Sequence, residues 1–462
     1  MAEPLWTSDE IARAVGGKAN GRFDALGISI DSRSIEEGDL FVALDGARDG
    51  HEFAEQARVA GAVGCLVSKP VRTRYVQADD TLKALERMGE AARDRAPQCR
   101  RGAVTGSVGK TSVTQAVLAG LALAGRAHSS VKSYNNHIGV PLTLARMPRD
   151  TQRAVFEIGM NHAGEIGPLS RMVRPHAVAI TTVGPVHTEN FPDGETGVAA
   201  AKAEIFQGLE PGGIAVLNAD DRWFETLAAA AREAGAEVRT FGQADTCDAR
   251  LIDFQAGADD AVVKARWHGQ DLDFPILQKG GHWGMNSLAV LLLLQALDVG
   301  LDRGIAALGA FEPLAGRGAE RMIVAGAGPF TLIDESYNAN PISMASAIAT
   351  LGRRATDGRK IAVLTDMLEL GEDGRTYHAA LEPALEAANV DLVFAAGPLM
   401  KSLWDALPPT RRGAYAVSAA DLAPQVVQAV EPGDLVMVKG SNGSRAGVIA
   451  QALAALGPAE AD

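Results

Sequence analysis

Seven residues constrain this chain more than any others. Thr105-Gly106-Ser107-Val108-Gly109-Lys110-Thr111 follows a β-rich run, Ala103-Val104, and precedes a helical apolar pattern over 112–124. Strand, glycine loop and helix in that order build a phosphate cradle. Glycines let backbone N–H groups approach the anion, and the positive end of the helix favours it. A lysine reaches the terminal phosphates and a Ser or Thr hydroxyl helps hold Mg²⁺. The whole loop is therefore the expected nucleotide site, with Lys110 supplying charge and Thr111 the metal contact. The strict eight-residue form wants glycine where this chain has Val104. The loop alone does not separate a kinase from a GTPase or a ligase.

Around the loop, strands read at 154–158, 177–183 and 214–217 alternate with helical stretches. Such alternation predicts an α/β fold with a mainly parallel sheet and helices on both faces. The apolar stretch 288–299 reads as a buried helix. Short apolar runs at 40–44 and 64–67, with helices at 53–60 and 81–95, suggest a smaller α/β unit before it. Runs at 330–333, 361–365, 392–396 and 435–438, with helices at 343–351 and 377–388, suggest a second doubly wound unit after it. At about 150 residues per domain, 462 residues predict three domains. A polar stretch at 94–101 and the Phe311-Glu312-Pro313-Leu314 segment mark the boundaries, giving domains 1–98, 99–312 and 313–462.

Composition narrows the function class. The net charge of −13 does not suit a nucleic-acid binder, because phosphate backbones are bound through Lys and Arg. Cys65, Cys99 and Cys247 form no metal-spaced pair, and a disulfide scaffold is not expected. The N-terminal Met1-Ala2-Glu3-Pro4-Leu5-Trp6 lacks the pattern of a secretory signal. The most apolar stretch, 288–294, is short of the roughly 20 residues that span a bilayer. A cytoplasmic protein with no membrane insertion and no nucleic-acid partner is expected.

Glu157 and His187 each follow a strand of the central unit. Strand C-terminal ends of a parallel sheet gather at the edge that carries the phosphate loop, so both can meet the phosphates and their Mg²⁺. A lone carboxylate suits Mg²⁺, and histidine is a less usual ligand. Taken alone, His187 reads equally as a polar loop residue and Lys202 as a solvated helix lysine.

At this point the order of motifs resembles that of the Mur ligases, which build the peptide stem of bacterial cell-wall precursors. The resemblance rests on the 105–111 loop, Tyr134-Asn135-Asn136-His137-Ile138-Gly139-Val140-Pro141, Glu157-Ile158-Gly159-Met160-Asn161 and Gly184-Pro185-Val186-His187. Lys202-Ala203-Glu204-Ile205-Phe206 and Asn218-Ala219-Asp220-Asp221 follow in the family's order. Asp334-Glu335-Ser336-Tyr337-Asn338-Ala339-Asn340-Pro341 and Asp366-Met367-Leu368-Glu369-Leu370-Gly371 resemble the branch that adds D-alanyl-D-alanine. The likeness runs from the Asp31-Ser32-Arg33 region to Lys439-Gly440-Ser441.

The resemblance implies an ATP-dependent amide ligase that joins D-alanyl-D-alanine to UDP-N-acetylmuramoyl-tripeptide through an acyl phosphate. It implies a first domain for the UDP-sugar, a second for ATP, and a third that closes and brings the dipeptide. A monomer is expected. Lys202 falls where the family carries a lysine carbamylated by CO₂, so Thr111, Glu157, His187 and Lys202 become the expected Mg²⁺ residues. With Lys110, the last three are the expected catalytic set. Arg317 and Asp334 are implied at the nucleotide, and Asn286 near the adenine. Asn135 and Asn136 line the shared cleft, Ser32 and Arg33 are candidates for the UDP group, and Ser336, Asn338, Asn340 and Ser441 for the dipeptide. The last four read equally as turn and cap residues. Trp283 and Thr365 depart from the family pattern, standing where Asn and Gly are expected. A sister ligase adding a single amino acid, and a nucleotide switch without ligation, are the alternatives.

Overall fold

In this computed structural model, residues 3–457 are described, except 132, 187, 258 and 327. Three larger sheets follow one another along the chain, and a two-stranded ribbon pairs Trp6–Thr7 with Asp24–Ala25. The first sheet has five strands in the order Lys18–Asn20, Tyr75–Gln77, Gly64–Val67, Asp39–Val42, Gly27–Ser29. It is parallel but for the edge strand Lys18–Asn20. Helix Thr81–Asp94 packs on it and meets helix Gly139–Ala145 of the next unit.

The central sheet has nine strands, with Arg100–Thr105 flanked by Ala177–Ile180 and Arg153–Glu157. The order continues through Ile214–Asn218, Glu237–Gly242 and Ala249–Ala256, all parallel, and ends in the antiparallel strands Ala261–Trp267 and Gln270–Ile276. The third sheet has six strands. Its first hairpin, Ala319–Ala325 with Gly328–Glu335, is antiparallel, and Leu435–Lys439, Lys360–Thr365, Leu392–Ala396 and Arg412–Ala416 run parallel. The expected α/β class is observed, with apolar layers on both faces of the second and third sheets.

Three local expectations change. The strand that ends at the phosphate loop reaches back to Arg100, into the stretch read as a polar boundary, because the buried Arg101 guanidinium donates to the Val173 and Cys99 carbonyls and carries that segment inside. The helix expected over 377–388 is two, Gly374–Ala379 and Glu382–Ala387, with Pro383 in the first turn of the second. Proline has no N–H to continue a helix and disfavours helical backbone before it. The antiparallel strands 249–276 were not expected. Only alternate residues there face the core (Ala261, Val263, Ala265 and Trp267 are buried), so no continuous apolar run marks them.

Helix Trp283–Ala296 is buried along nearly all of its length, as its composition predicts. It lies against helices Lys110–Ala122 and Leu301–Ala310. Close approach is possible because Gly120 has no side chain: a Cβ there would sit 2.5 Å from Leu294 Cδ1. Leu294→Ala opens a void under the phosphate-loop helix. We expect a loss of about 2–5 kcal/mol, read as a lower urea midpoint of the central unit.

Candidate active site

The phosphate loop joins strand Arg100–Thr105 to helix Lys110–Ala122. Gly106 has φ +148° and Gly109 +86°, where side chains are strained. A Cβ on Gly106 would also fall 1.9 Å from Thr181 Oγ1. Thr181 lies under the loop, donating to the Val108 carbonyl at 2.5 Å. Ser107 binds the next strand end: its N–H donates to the Thr182 carbonyl at 2.7 Å, and its hydroxyl accepts from Gly184 N–H at 3.0 Å. Lys110 folds back to donate to the Gly106 carbonyl at 2.8 Å. Burial and the nearby Arg317 hold its pKa below the ordinary lysine value, against the pull of Glu157.

Register brings Glu157 to the loop, since it pairs with Val104 on the adjacent strand. Its carboxylate is almost fully buried. Thr111 Oγ1 donates to one oxygen at 2.7 Å and Asn135 Nδ2 to the other at 2.6 Å. Thr111 also meets Ser133 Oγ at 3.0 Å. Asn136 turns the other way, its side-chain oxygen accepting from Gly139 N–H at the start of helix Gly139–Ala145. Lys202, on helix Glu195–Ala203, is buried. Desolvation, and then the charge of Lys110, push its pKa well below the ordinary value. His187 lies outside the described residues.

The third sheet supplies the facing wall. Arg317 stacks on the Tyr337 ring at 4.1 Å and donates to Ser133 Oγ at 3.4 Å, and Tyr337 Oη donates to the same oxygen at 3.2 Å. A cavity of about 660 Å³ lies between the two walls. Ser107, Val108, Gly109, Lys110, Thr111, Asn135, Asn136, Glu157, Asn286, Arg317, Asn338, Asn340 and Ser441 all line it.

Thr105, Gly106, Asp334 and Ser336 do not line it. Thr105 and Gly106 are buried at the end of the strand and the start of the loop. Asp334 turns to the opposite side of its strand from Glu335 and accepts from Ser336 N–H at 3.0 Å. Glu335 takes the cavity side, as alternation along a strand requires. Lys202 is buried and does not line the cavity. Ser32 and Arg33 follow strand Gly27–Ser29 away from the cavity, and Arg33 is exposed with its guanidinium bound to the Asp31 carboxylate at 2.9 and 2.7 Å. Asn340 caps helix Pro341–Arg353, donating its N–H to Ser343 Oγ and accepting from Ser343 N–H.

Ser133, Thr181, Glu335, Tyr337 and Lys439 line or brace the cavity without having been singled out. Ser133 directly precedes the Tyr134-Asn135-Asn136 segment, and Glu335, Tyr337 and Lys439 sit inside quoted motifs. Adjacency was the signal for Ser133 and motif membership for Glu335, Tyr337 and Lys439, while Thr181 had only its strand.

The chain matches three family models in order: "Mur ligase family, catalytic domain" over residues 25–101, "Mur ligase middle domain" over 104–294, and "Mur ligase, glutamate ligase domain" over 320–442. It is 32% identical to the UDP-N-acetylmuramoyl-tripeptide–D-alanyl-D-alanine ligase of Bacillus subtilis, over 95% of this chain and 96% of that one. The Escherichia coli ligase of the same name is 32% identical over 85% and 86%. The crystal structure of MurF from Acinetobacter baumannii superposes with a TM-score of 0.85 at 26% identity, covering 97% of this chain and 99% of that one. Similarity of this extent, over a cavity built from the same ordered segments that first suggested it, makes the chain a member of the Mur ligase family.

Proposed function

We propose that this enzyme joins D-alanyl-D-alanine to the free carboxylate of UDP-N-acetylmuramoyl-tripeptide, converting ATP to ADP and phosphate in peptidoglycan synthesis. One observation carries the reading. A phosphate loop with its lysine and a buried carboxylate forms one wall of a single cavity, and residues 337–340 after the third sheet's strand Gly328–Glu335 form part of the other. A nucleotide switch needs no such second wall.

A carboxylate does not react usefully with an amine, because oxide is a poor leaving group. Attack of a carboxylate oxygen on the γ-phosphorus of ATP expels ADP and leaves an acyl phosphate. Lys110 and the loop N–H groups hold the charge that moves during this transfer. The neutral amine of the dipeptide then attacks the acyl carbon, and collapse of the tetrahedral adduct expels phosphate. Arg317, from the opposite wall, is proposed at the nucleotide phosphates, with Asn286 at the base. Asp334 is also proposed at the nucleotide, which requires a ligand reaching past the cavity lining.

Thr111 and Glu157, with Ser133 and Asn135 around them, present hard oxygen donors at the phosphate loop, and this donor set fits Mg²⁺. When bound, Mg²⁺ neutralises phosphate charge so that two anions can approach. Burial of Lys202 supports its carbamylation, since only a neutral amine reacts with CO₂. The carbamate would be a further anionic ligand, with His187 proposed beside it from the family pattern. Domains 1–98, 99–312 and 313–462 are proposed to take the UDP-sugar, ATP and the dipeptide. Ser32 and Arg33 are proposed for the UDP group, and Ser336, Asn338, Asn340 and Ser441 for the dipeptide. The enzyme is proposed to act as a cytoplasmic monomer; no described helix is long and apolar enough to cross a membrane.

Coupled phosphate release tests the reaction: turnover with ATP and UDP-N-acetylmuramoyl-tripeptide should continue only when D-alanyl-D-alanine is present. Steady turnover without the dipeptide would defeat the reading. Lys110→Ala should lower kcat by about 10²–10³-fold, measured in the same assay. Lys202→Ala should lose most activity and regain part of it with added short carboxylates, and wild-type enzyme freed of bicarbonate should slow. Full activity without bicarbonate would exclude the carbamate. The pH dependence has a definite sign. A lysine whose folded pKa lies below its unfolded value takes up a proton on unfolding. Between those two values, enzyme kept free of CO₂ should gain stability as pH rises and lose it as pH falls, relative to Lys202→Met, in thermal melts.

A further inference from the structure

Lys439 ends strand Leu435–Lys439, and only 2% of its surface is exposed. Glu335 ends the neighbouring strand Gly328–Glu335, and the parallel register sets the two side by side. The ammonium lies 3.2 Å from Glu335 Oε2 and donates to the Asn338 carbonyl at 3.0 Å. Both residues line the cavity.

The next carbonyl along the chain is held the same way. Ser441 Oγ donates to the Ala339 carbonyl at 3.1 Å and accepts from Leu368 N–H at 3.0 Å. Two successive carbonyls of the 336–340 loop are thus drawn onto the end of one strand and the turn after it. Tyr337 and Asn338 are left exposed at the cavity. Their placement depends on where those carbonyls are held.

Lys439 is buried and Glu335 partly exposed, and an ion pair with a desolvated member adds little net stability over apolar residues of the same size. It does impose direction. A methionine at 439 would fill the volume but leave the Asn338 carbonyl without its donor and Glu335 without its counter-charge. The contacts of Lys110, Thr111 and Glu157 that build the phosphate wall do not involve Lys439.

We propose that Lys439 is a positioning residue for the amine substrate. By holding the Asn338 carbonyl and the Glu335 carboxylate it sets the shape of the 336–340 loop, and with it the affinity for the incoming dipeptide. This rests on the ligase reading above, in which that loop receives D-alanyl-D-alanine.

Steady-state kinetics of Lys439→Met and Lys439→Arg, varying each of the three substrates in turn, test it. In Lys439→Met the KM for D-alanyl-D-alanine should rise about tenfold to a hundredfold, the scale of a lost charged hydrogen bond. The KM values for ATP and UDP-N-acetylmuramoyl-tripeptide should stay near wild type, and Lys439→Arg should recover part of the loss. An unchanged dipeptide KM, or an equal shift for all three substrates, would overturn the proposal. If Lys439→Met does not fold, Lys439→Met/Glu335→Gln removes both charges and carries the same comparison. Wild-type enzyme without dipeptide-dependent turnover would instead defeat the ligase reading, so the two failures are distinguishable.

Discussion

A carboxylate buried as deeply as Glu157 has to be held, and the way it is held organises the whole site. Thr111 comes from the phosphate-loop helix and Asn135 from the connection that precedes helix Gly139–Ala145. Thr111 shares Ser133 with Arg317 and Tyr337 of the third unit. One chain of hydrogen bonds therefore runs from the central strand, through the loop, across the cavity and into the facing wall. A buried carboxylate left without hydrogen bonds would be costly, and these donors meet both of its oxygens. Fold and site meet at this residue because parallel register places it beside Val104, at the start of the phosphate loop.

Legibility followed the range of the interaction. The phosphate loop was readable because its glycines, lysine and threonine act through their own backbone and the helix they begin. Glu157 was readable because a strand end is a local feature. The Lys439–Glu335 pair was not, because it joins residues more than a hundred positions apart, and only the strand order makes them neighbours. Asp334 and Glu335 show the same limit on a smaller scale. The motif contains both, and which one faces the cavity depends on the phase of the strand. Strands 249–276 escaped notice because half of their residues face water, and the break at Pro383 because a helical pattern continues on both sides of it.

The two departures from the family pattern have physical compensations. Trp283 is buried, with its ring 5.8 Å from that of Phe311. It belongs to the core beneath the cavity, while Asn286 and His282 line the wall. An indole there gains apolar packing where an amide would need a partner. Thr365 is also fully buried, its hydroxyl 2.6 Å from Ser444 Oγ. Room for it exists because Gly440 has no side chain: a Cβ there would lie 1.7 Å from Thr365 Oγ1. A larger residue at 365 is thus matched by a glycine at 440, and the Lys439-Gly440-Ser441 turn keeps its place.

The interface that completes the cavity is of a different kind from the cores beside it. Glu320 of the third sheet is bound by Lys279 from the central unit and by Arg354 at the end of helix Pro341–Arg353. Near it, Ser346 Oγ lies 3.4 Å from His282 Nδ1. These contacts are polar, and those of Glu320 are only partly screened from water. Separating the units at Glu320 would rehydrate charges, whereas parting either sheet from its helices would expose its apolar layers. Polar interfaces of this sort are where relative domain motion is expected. The acyl phosphate proposed above would have to be kept from water, yet ATP and a UDP-linked peptide must enter. The facing wall is joined to the central unit through one linker and, at Glu320, by the Lys279 ion pair, a contact that lies outside both apolar cores.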